Sequence, residues 1–205
     1  VLKGTGAKEW LELPVYPGPV RLQSAAGVVG RKFYLMGGFQ PVREEQECIV
    51  ATDGLVYDPE TGKWSEAGDI LPEGEEETRG LVGAAALALD DRTLVFQGGV
   101  NRTVFKSAVD NPLLQRKATE AEQLERLKQE QQIYMRHEPG WYKFNRQLLV
   151  FCPEEGKWTA YEDWEEVARA GAVMVLYKNR LVIVNGETKP GIRSAGAYMI
   201  DLGIY

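Results

Sequence analysis

The chain has 205 residues, of which 44% are hydrophobic and 26% charged, with 22 glycines and 10 prolines. These values are ordinary for a folded domain and exclude a collagen-like or disordered chain. The formal net charge is −6, which argues against nucleic acid or a polybasic membrane surface as partner. No apolar run approaches the roughly 20 residues that cross a bilayer, and the first residues lack the pattern of a secretory signal. We therefore expect no membrane partner.

The strongest pattern in the chain is a repeat with unequal insertions. Segments 24–39, 83–100 and 171–187 each run small residues, a tight turn and an apolar strand that closes on glycine, which predicts a β-hairpin. Segments 55–64 and 149–158 then place Pro and Gly in a turn, with a Trp early in the next strand. Each repeat therefore predicts four antiparallel strands.

The repeats divide the chain into units of unequal length. We predict a first unit at 20–68, a second at 79–165 and an incomplete third at 168–205. The segment KEWLELP, residues 8–14, is expected to be the outer strand of a preceding unit.

The second unit carries an insertion. Gly38 and Trp64 are 26 residues apart but Gly99 and Trp158 are 59 apart, so the second unit has 33 extra residues. We place this helical insertion at 106–140 and predict one helix over 117–138, because that stretch is rich in helix formers and lacks Gly and Pro. Leu124, Leu127 and Tyr134 share one side of it. The helix is either a solvated cap or a lid over a ligand.

The order of Gly-Gly, Tyr-Asp and Trp resembles the kelch repeat, the blade unit of β-propellers. The resemblance implies an all-β kelch-type propeller, with glycines that let strands approach near the central channel and Trp side chains that pack between blades. Three blades would leave long exposed sheet edges. We expect the ring to be completed, to six blades, either by a second copy whose Trp10 strand closes blade three or by the remainder of a longer protein.

One residue breaks the repeat. Phe39, Val100 and Glu187 occupy the same slot after the glycines, and only the third is charged. A departure from a local rule is where function is expected, and a carboxyl group at the inner end of a propeller strand suits proton transfer. Arg193 follows a Lys-Pro-Gly turn and could clamp a carboxylate of a small acidic substrate. The structural alternative is a Glu187–Arg193 salt bridge that pins the loop.

Other polar side chains near the blade ends are weaker candidates. The amide of Asn101 follows the second glycine pair and could bind sugar hydroxyls, and Phe105 lies close behind it. Arg79 and Arg169 each precede a blade's first strand. Loop-supporting roles remain open for all four. The single histidine, His137, is expected to be solvated or to cap the helix, and Cys48 and Cys152 are expected to be buried thiols without a metal site.

Three stretches, 98–105, 141–158 and above all 184–193 (VNGETKPGIR), resemble the N-acetylneuraminate epimerases, the sialic acid mutarotases, and their cyclically permuted relatives. The resemblance implies a propeller that interconverts the anomers of N-acetylneuraminate by acid/base ring opening and closure. It places Glu187 at the proton acceptor and Arg193 at the substrate-binding arginine, calls for no cofactor or metal, and suggests a bacterial periplasm.

Two alternative hypotheses assign the chain to other functional classes. The chain could be a kelch interaction module, in which the acidic segment 43–77, with twelve Asp and Glu against Arg43 and Lys63, contributes to a protein interface. Such a charge run is more often a solvated face. The chain could also be a non-catalytic carbohydrate-binding propeller.

Overall fold

The first blade contains a four-stranded antiparallel sheet. A computed structural model describes residues 12–70 and 79–203. The strands are β1 (Ala25–Val29), β2 (Lys32–Met36), β3 (Phe39–Gln40), β4 (Ile49–Val50), β5 (Asp53–Asp58) and β6 (Lys63–Asp69). The sheet order is β1-β2-β5-β6, and a short hairpin of β3 and β4 leaves the sheet after the glycine pair.

The second blade repeats this sheet and replaces the short hairpin with two helices. The elements are β7 (Ala85–Ala88), β8 (Leu94–Gln97), α1 (Arg102–Lys117), α2 (Ala121–Tyr134), β9 (Leu148–Cys152) and β10 (Lys157–Tyr161). The order of the strands in the sheet is β7-β8-β9-β10. Within the described residues, no helix is long and apolar enough to span a bilayer.

The strands of the third blade are β11 (Val173–Tyr177), β12 (Arg180–Val184), β13 (Glu187–Lys189), β14 (Ile192–Arg193) and β15 (Ala197–Asp201). Its main sheet has three strands in the order β11-β12-β15, and β13 and β14 again form a short hairpin after the second strand. Its outer strand is missing from the described residues, and apolar side chains such as Val173 and Met199 are more than half exposed.

The three sheets stand side by side around a common inner edge. The Gly83 N–H donates to the Gln23 carbonyl (2.9 Å), and the Gly171 N–H donates to the Gly83 carbonyl (2.7 Å). These bonds join the approaches to the first strands of successive blades. The chain therefore forms three adjacent blades of an all-β propeller with a helical insertion in the second, as the sequence predicts. The exact limits of the units remain predictions.

The glycine pairs are required by close backbone approaches. A Cβ on Gly98 would lie 1.9 Å from the carbonyl oxygen of Arg169, and one on Gly99 would lie 2.5 Å from that of Gly80. Both glycines have positive φ, +72° and +96°, which side chains disfavour. The predicted reason for the repeated glycines is therefore confirmed in blade two.

Trp158 packs between the first two blades. It is 8% exposed, stacks on Phe151 with ring centroids 4.7 Å apart, and donates from Nε1 to the Asp69 carbonyl at the end of β6 (2.8 Å). A buried indole N–H needs such a partner. Its position matches the predicted role of the repeated Trp. Trp64 donates in the same way to the Pro14 carbonyl (2.7 Å).

The structure corrects two details and leaves a third untested. The single helix predicted over 117–138 is wrong, because the insertion is helical from Arg102 and breaks at residues 118–120 into α1 and α2. Cys48 is buried, but Cys152 is only half-buried. Most of the strand predicted at 8–14, including Trp10, lies outside the described residues, and residues 12–14 have no regular structure.

Candidate active site

A cavity of about 330 Å³ lies at the inner ends of the blades, beneath the helical insertion. We call it the inner cavity. Blades one and three and both helices contribute to its wall, through Gln23, Asn101, Phe105, Tyr134, Tyr142 and Glu187. Residues of α1 and the end of α2 line this space, so the insertion borders the cavity, and its role as a lid stays a prediction.

The β13–β14 hairpin brings Glu187 and Arg193 together. The two residues are direct partners in the strand register, and Arg193 Nη2 lies 3.0 Å from Glu187 Oε1. The turn between them contains Gly191 at φ +76°, a conformation that glycine adopts without strain. The hairpin is fixed to the blade because Glu187 and Ala170 exchange two backbone hydrogen bonds, of 2.7 and 3.0 Å.

Glu187 lies where two spaces meet. It lines the inner cavity and also an open space of about 390 Å³ along the first strands, which Arg193 lines with Gly83 and Gly171. Its side chain is 28% exposed and that of Arg193 is 73% exposed. The predicted salt bridge is thus formed, and both side chains remain within reach of a ligand in these spaces.

Asn101 and Phe105 both lie on the wall of the inner cavity. Asn101 is the N-cap of α1, because its Oδ1 accepts a hydrogen bond from the Val104 N–H (3.0 Å), a preferred helix start. The Phe105 ring meets Phe39 edge to face at 5.0 Å. Each residue therefore supports the loop while facing the cavity.

The two weaker arginine candidates lie elsewhere. Arg79 Nη2 donates to Gln147 Oε1 (2.6 Å), in the segment that leads into β9. Arg169 is 3% exposed and donates from Nη1 to the Asn185 carbonyl (2.9 Å). Neither side chain forms part of the inner-cavity wall. A substrate-binding role for them stays a prediction without support from this placement.

An aromatic group in the wall escapes sequence reasoning. Tyr134 ends α2, and its carbonyl accepts a hydrogen bond from the Tyr142 hydroxyl. Burial, with a smaller contribution from Tyr142, raises the pKa of Tyr134 to about 12, so its phenol keeps its proton near neutral pH. Tyr142 and Phe144 belong to the run WYKF. The run indicates an aromatic cluster, but it does not indicate that α2 brings Tyr134 to the same wall.

His137 follows α2 and stacks on the ring of Trp141 at 3.8 Å. Its carbonyl accepts a hydrogen bond from Lys189 Nζ (2.8 Å), which ties the helical insertion to the turn of the β13–β14 hairpin. His137 therefore makes more contacts than the predicted solvated or capping residue would, because it also links the helical insertion to blade three. Among residues 12–70 and 79–203, no group of three or more His, Cys, Asp or Glu side chains is placed to hold a metal ion.

A buried carboxylate fastens α1 to blade one. Asp110 Oδ1 accepts a hydrogen bond from the Cys48 N–H (2.6 Å), and its other oxygen contacts Lys106, which also pairs with Glu47 (2.6 Å). Burial, and then the nearby Asp110 charge, raises the pKa of the Cys48 thiol to about 11. Part of the acidic segment 43–77 is thus engaged with α1, and residues 71–77 of it lie outside the described residues.

We compared the chain with known protein families, curated proteins and solved structures. Residues 2–204 match the family model described as N-acetylneuraminate epimerase. The N-acetylneuraminate epimerase of Yersinia pestis (strain Pestoides F) is 29% identical over 95% of this chain and 47% of its own length. That of Haemophilus influenzae (strain PittEE) is 31% identical over 91% of this chain and 46% of its own.

The solved structure of YjhT matches with a TM-score of 0.77 and 23% identity, over 95% of this chain and 52% of that one. At this identity the likeness concerns the fold alone. The chain spans about half the length of the curated relatives it matches. The family match covers nearly the whole sequence, and we conclude that the chain belongs to the N-acetylneuraminate epimerase family.

Proposed function

We propose that this chain provides the acid/base site of a propeller that interconverts the α and β anomers of N-acetylneuraminate. One observation carries the proposal: Glu187 and Arg193 face each other across one hairpin, and Glu187 lines both the inner cavity, of about 330 Å³, and the adjoining open space of about 390 Å³ that Arg193 also lines. The names of the relatives support the substrate class.

In this reaction the Glu187 carboxylate takes the proton of the anomeric hydroxyl. The bond between the ring oxygen and the anomeric carbon breaks as the ketone forms, and the ring oxygen receives the proton that Glu187 carried. In the open chain, rotation about the bond that joins the ketone carbon to the rest of the sugar presents the other face of the carbonyl. The same proton transfers in reverse then close the ring on that face. A single carboxyl group balances both proton transfers, as expected for general acid–base catalysis.

Arg193 would hold the carboxylate of the sugar. Only Nη2 is engaged by Glu187, and a guanidinium has five N–H donors, so it can bind a second carboxylate through another edge. The wall of the inner cavity also contains Asn101 and Phe105, which offer an amide and an apolar surface to the N-acetyl group and the ring.

Anomer exchange followed by NMR tests the proposal. A sample with a completed ring should accelerate the exchange, and Glu187→Gln should slow it roughly 10²- to 10⁴-fold, because the amide cannot accept the proton. The matched control is Glu60→Gln, a carboxylate exposed in a blade-one turn, which should keep full activity. No acceleration by the completed ring would overturn the proposed function, whereas full activity of Glu187→Gln would remove only that residue from the mechanism.

How the ring is completed is part of the same proposal. Either a second copy or the remainder of a longer protein would cover the exposed strands of blade three. A two-fold dimer would have twice the mass of the 22.9 kDa chain in solution, and a species of single mass would exclude it. A periplasmic location is likewise proposed from the family resemblance, and cell fractionation tests it.

A further inference from the structure

A second cavity lies on the other side of the β13–β14 hairpin, between blades two and three. It measures about 300 Å³, and we call it the side cavity. Thr188 and Ser194 line it, each next in sequence to Glu187 or Arg193. Because neighbouring residues of a strand point to opposite faces, the hairpin forms a wall between the side cavity and the space that holds the proposed catalytic pair.

Arg169, one of the residues that line the side cavity, has a buried guanidinium with incomplete partners. Arg169 is 3% exposed and lies over the Tyr198 ring, 4.8 Å from its centroid. Its Nη1 donates to the Asn185 carbonyl, but its Nε is buried without a hydrogen-bond partner. In the part of the chain that the structure describes, no carboxylate pairs with it. A buried charge normally requires a counter-charge, and one ring and one carbonyl are weak substitutes.

The unsatisfied edge of Arg169 has the geometry of a carboxylate site. Nε and Nη2 share one edge of the guanidinium, and two parallel N–H groups on such an edge match the two oxygens of a carboxylate. The bond to Asn185 uses Nη1 and fixes the orientation of the group. We propose that the side cavity binds a small carboxylate anion through this edge of Arg169.

The surrounding charges permit an anion. Lys143 and Arg146 also line the side cavity, and Arg146 is neutralised by Asp163. Glu165 and Glu166 line it too, but both are exposed to solvent, where water and salt screen their charges. At about 30 Å³ for each water molecule, the cavity has the volume of roughly ten waters, which is enough for a small organic acid.

This site differs from the one proposed for the sugar carboxylate. Arg193 is mostly exposed and faces Glu187, whereas Arg169 is buried behind the hairpin. A ligand on Arg169 would touch the wall that carries Glu187, and so could alter the position of that side chain without occupying the inner cavity. The inference does not depend on the proposed reaction.

Titration with acetate, observed at the arginine Nε–H groups by NMR, tests it. The Arg169 signal is identified by its magnetisation transfer to the Tyr198 ring, so no variant is needed for the assignment. Acetate is exchanged for chloride at constant ionic strength. We expect a saturable shift of the Arg169 Nε–H and of the Ser194 backbone N–H. The absence of saturation at either group in the wild-type protein would overturn the proposal.

Two variants locate the binding. Arg193→Gln should leave the acetate titration of Arg169 unchanged, and loss of the shift there would place the anion at Arg193 and overturn the proposal. Arg169→Lys cannot form the two parallel bonds and should weaken acetate binding about tenfold or more, measured at Ser194. If Glu165→Gln and Glu166→Gln together are needed before acetate binds, an internal carboxylate occupies the edge and the proposal is wrong.

Discussion

The hairpins that follow the second strand of blades one and three share a position but differ in role. Each begins directly after glycine and is fixed by two backbone bonds to the segment before the first strand, between Phe39 and Leu22 (3.0 and 2.7 Å) and between Glu187 and Ala170 (2.7 and 3.0 Å). In blade one the slot holds an aromatic ring packed on α1. In blade three it holds a carboxylate beside a cavity. The backbone therefore holds both hairpins in the same way. The side chain at the first position determines whether the hairpin packs against α1 or places a carboxylate beside a cavity.

The largest effect that distinguishes the hairpins is expected at their leading glycines. A Cβ on Gly38 would lie 2.3 Å from Ser24 Oγ and 2.9 Å from the Leu22 carbonyl oxygen, whereas one on Gly186 would approach nothing closer than 3.0 Å. Both glycines have φ near +90°, so an alanine adds about 1–2 kcal/mol of backbone strain at either site. Gly38→Ala adds overpacking and should cost about 3 kcal/mol in total, more than Gly186→Ala.

Chemical denaturation of both variants measures this difference. Gly62→Ala provides the control, since Gly62 has φ +69° but no atom within 4 Å of the added Cβ. Its loss of unfolding free energy reports strain alone. Equal losses for Gly38→Ala and Gly62→Ala would contradict the close approach in blade one.

The next effect concerns the attachment of the blade-one hairpin to the helical insertion. Asp110→Ala leaves the buried Cys48 N–H without its acceptor and removes a partner of Lys106. We expect a loss of about 2 kcal/mol in the free energy of unfolding. Asp110→Asn keeps an oxygen acceptor and should lose less. A stability unchanged by Asp110→Ala would mean that apolar packing alone holds α1 against blade one.

Sequence patterns are sufficient for the strands but not for the insertion. The hairpins, the glycine pairs and Trp158 follow from short-range residue patterns, which the structure reproduces. The sequence does not predict helix α1, because it contains Pro112, Asp110 and Asn111, which disfavour helix interiors. In the structure Asp110 is held by a tertiary contact with the Cys48 N–H. Phe39 and Glu187 occupy equivalent positions, since each pairs with the segment before the first strand of its blade. In blade two the equivalent pairing, to Arg79, is made by Asn101 rather than by the predicted Val100. Asn101 is also the residue at which α1 starts.

The site is predictable to the extent that it is local. Glu187 and Arg193 lie six residues apart in one hairpin, so their contact follows from the turn between them. Tyr134 reaches the same cavity only because α2 folds back over the blade, a long-range event that no residue pattern contains. The sequence predicts Arg169 near the ligand, but its contacts with Asn185 and Tyr198 hold it behind the hairpin.

The smallest effect is expected from the charges on the surface of the blade-one loop. Lys117 Nζ lies 3.4 Å from a Glu45 carboxylate oxygen, with both side chains exposed, and such pairs contribute about 0–1 kcal/mol. Lys117 Nζ also donates a hydrogen bond to the Glu45 carbonyl oxygen (2.6 Å). We expect Lys117→Met to lower the unfolding free energy by about 1 kcal/mol or less, and the ion-pair part of that loss to vanish at high salt. A double-mutant cycle with Glu45→Gln measures the pair directly. A Lys117–Glu45 coupling free energy as large as the Asp110→Ala effect would show that surface charge, rather than the buried carboxylate, holds the blade-one hairpin against α1. The hairpins of blades one and three would then differ in how they are attached as well as in their side chains.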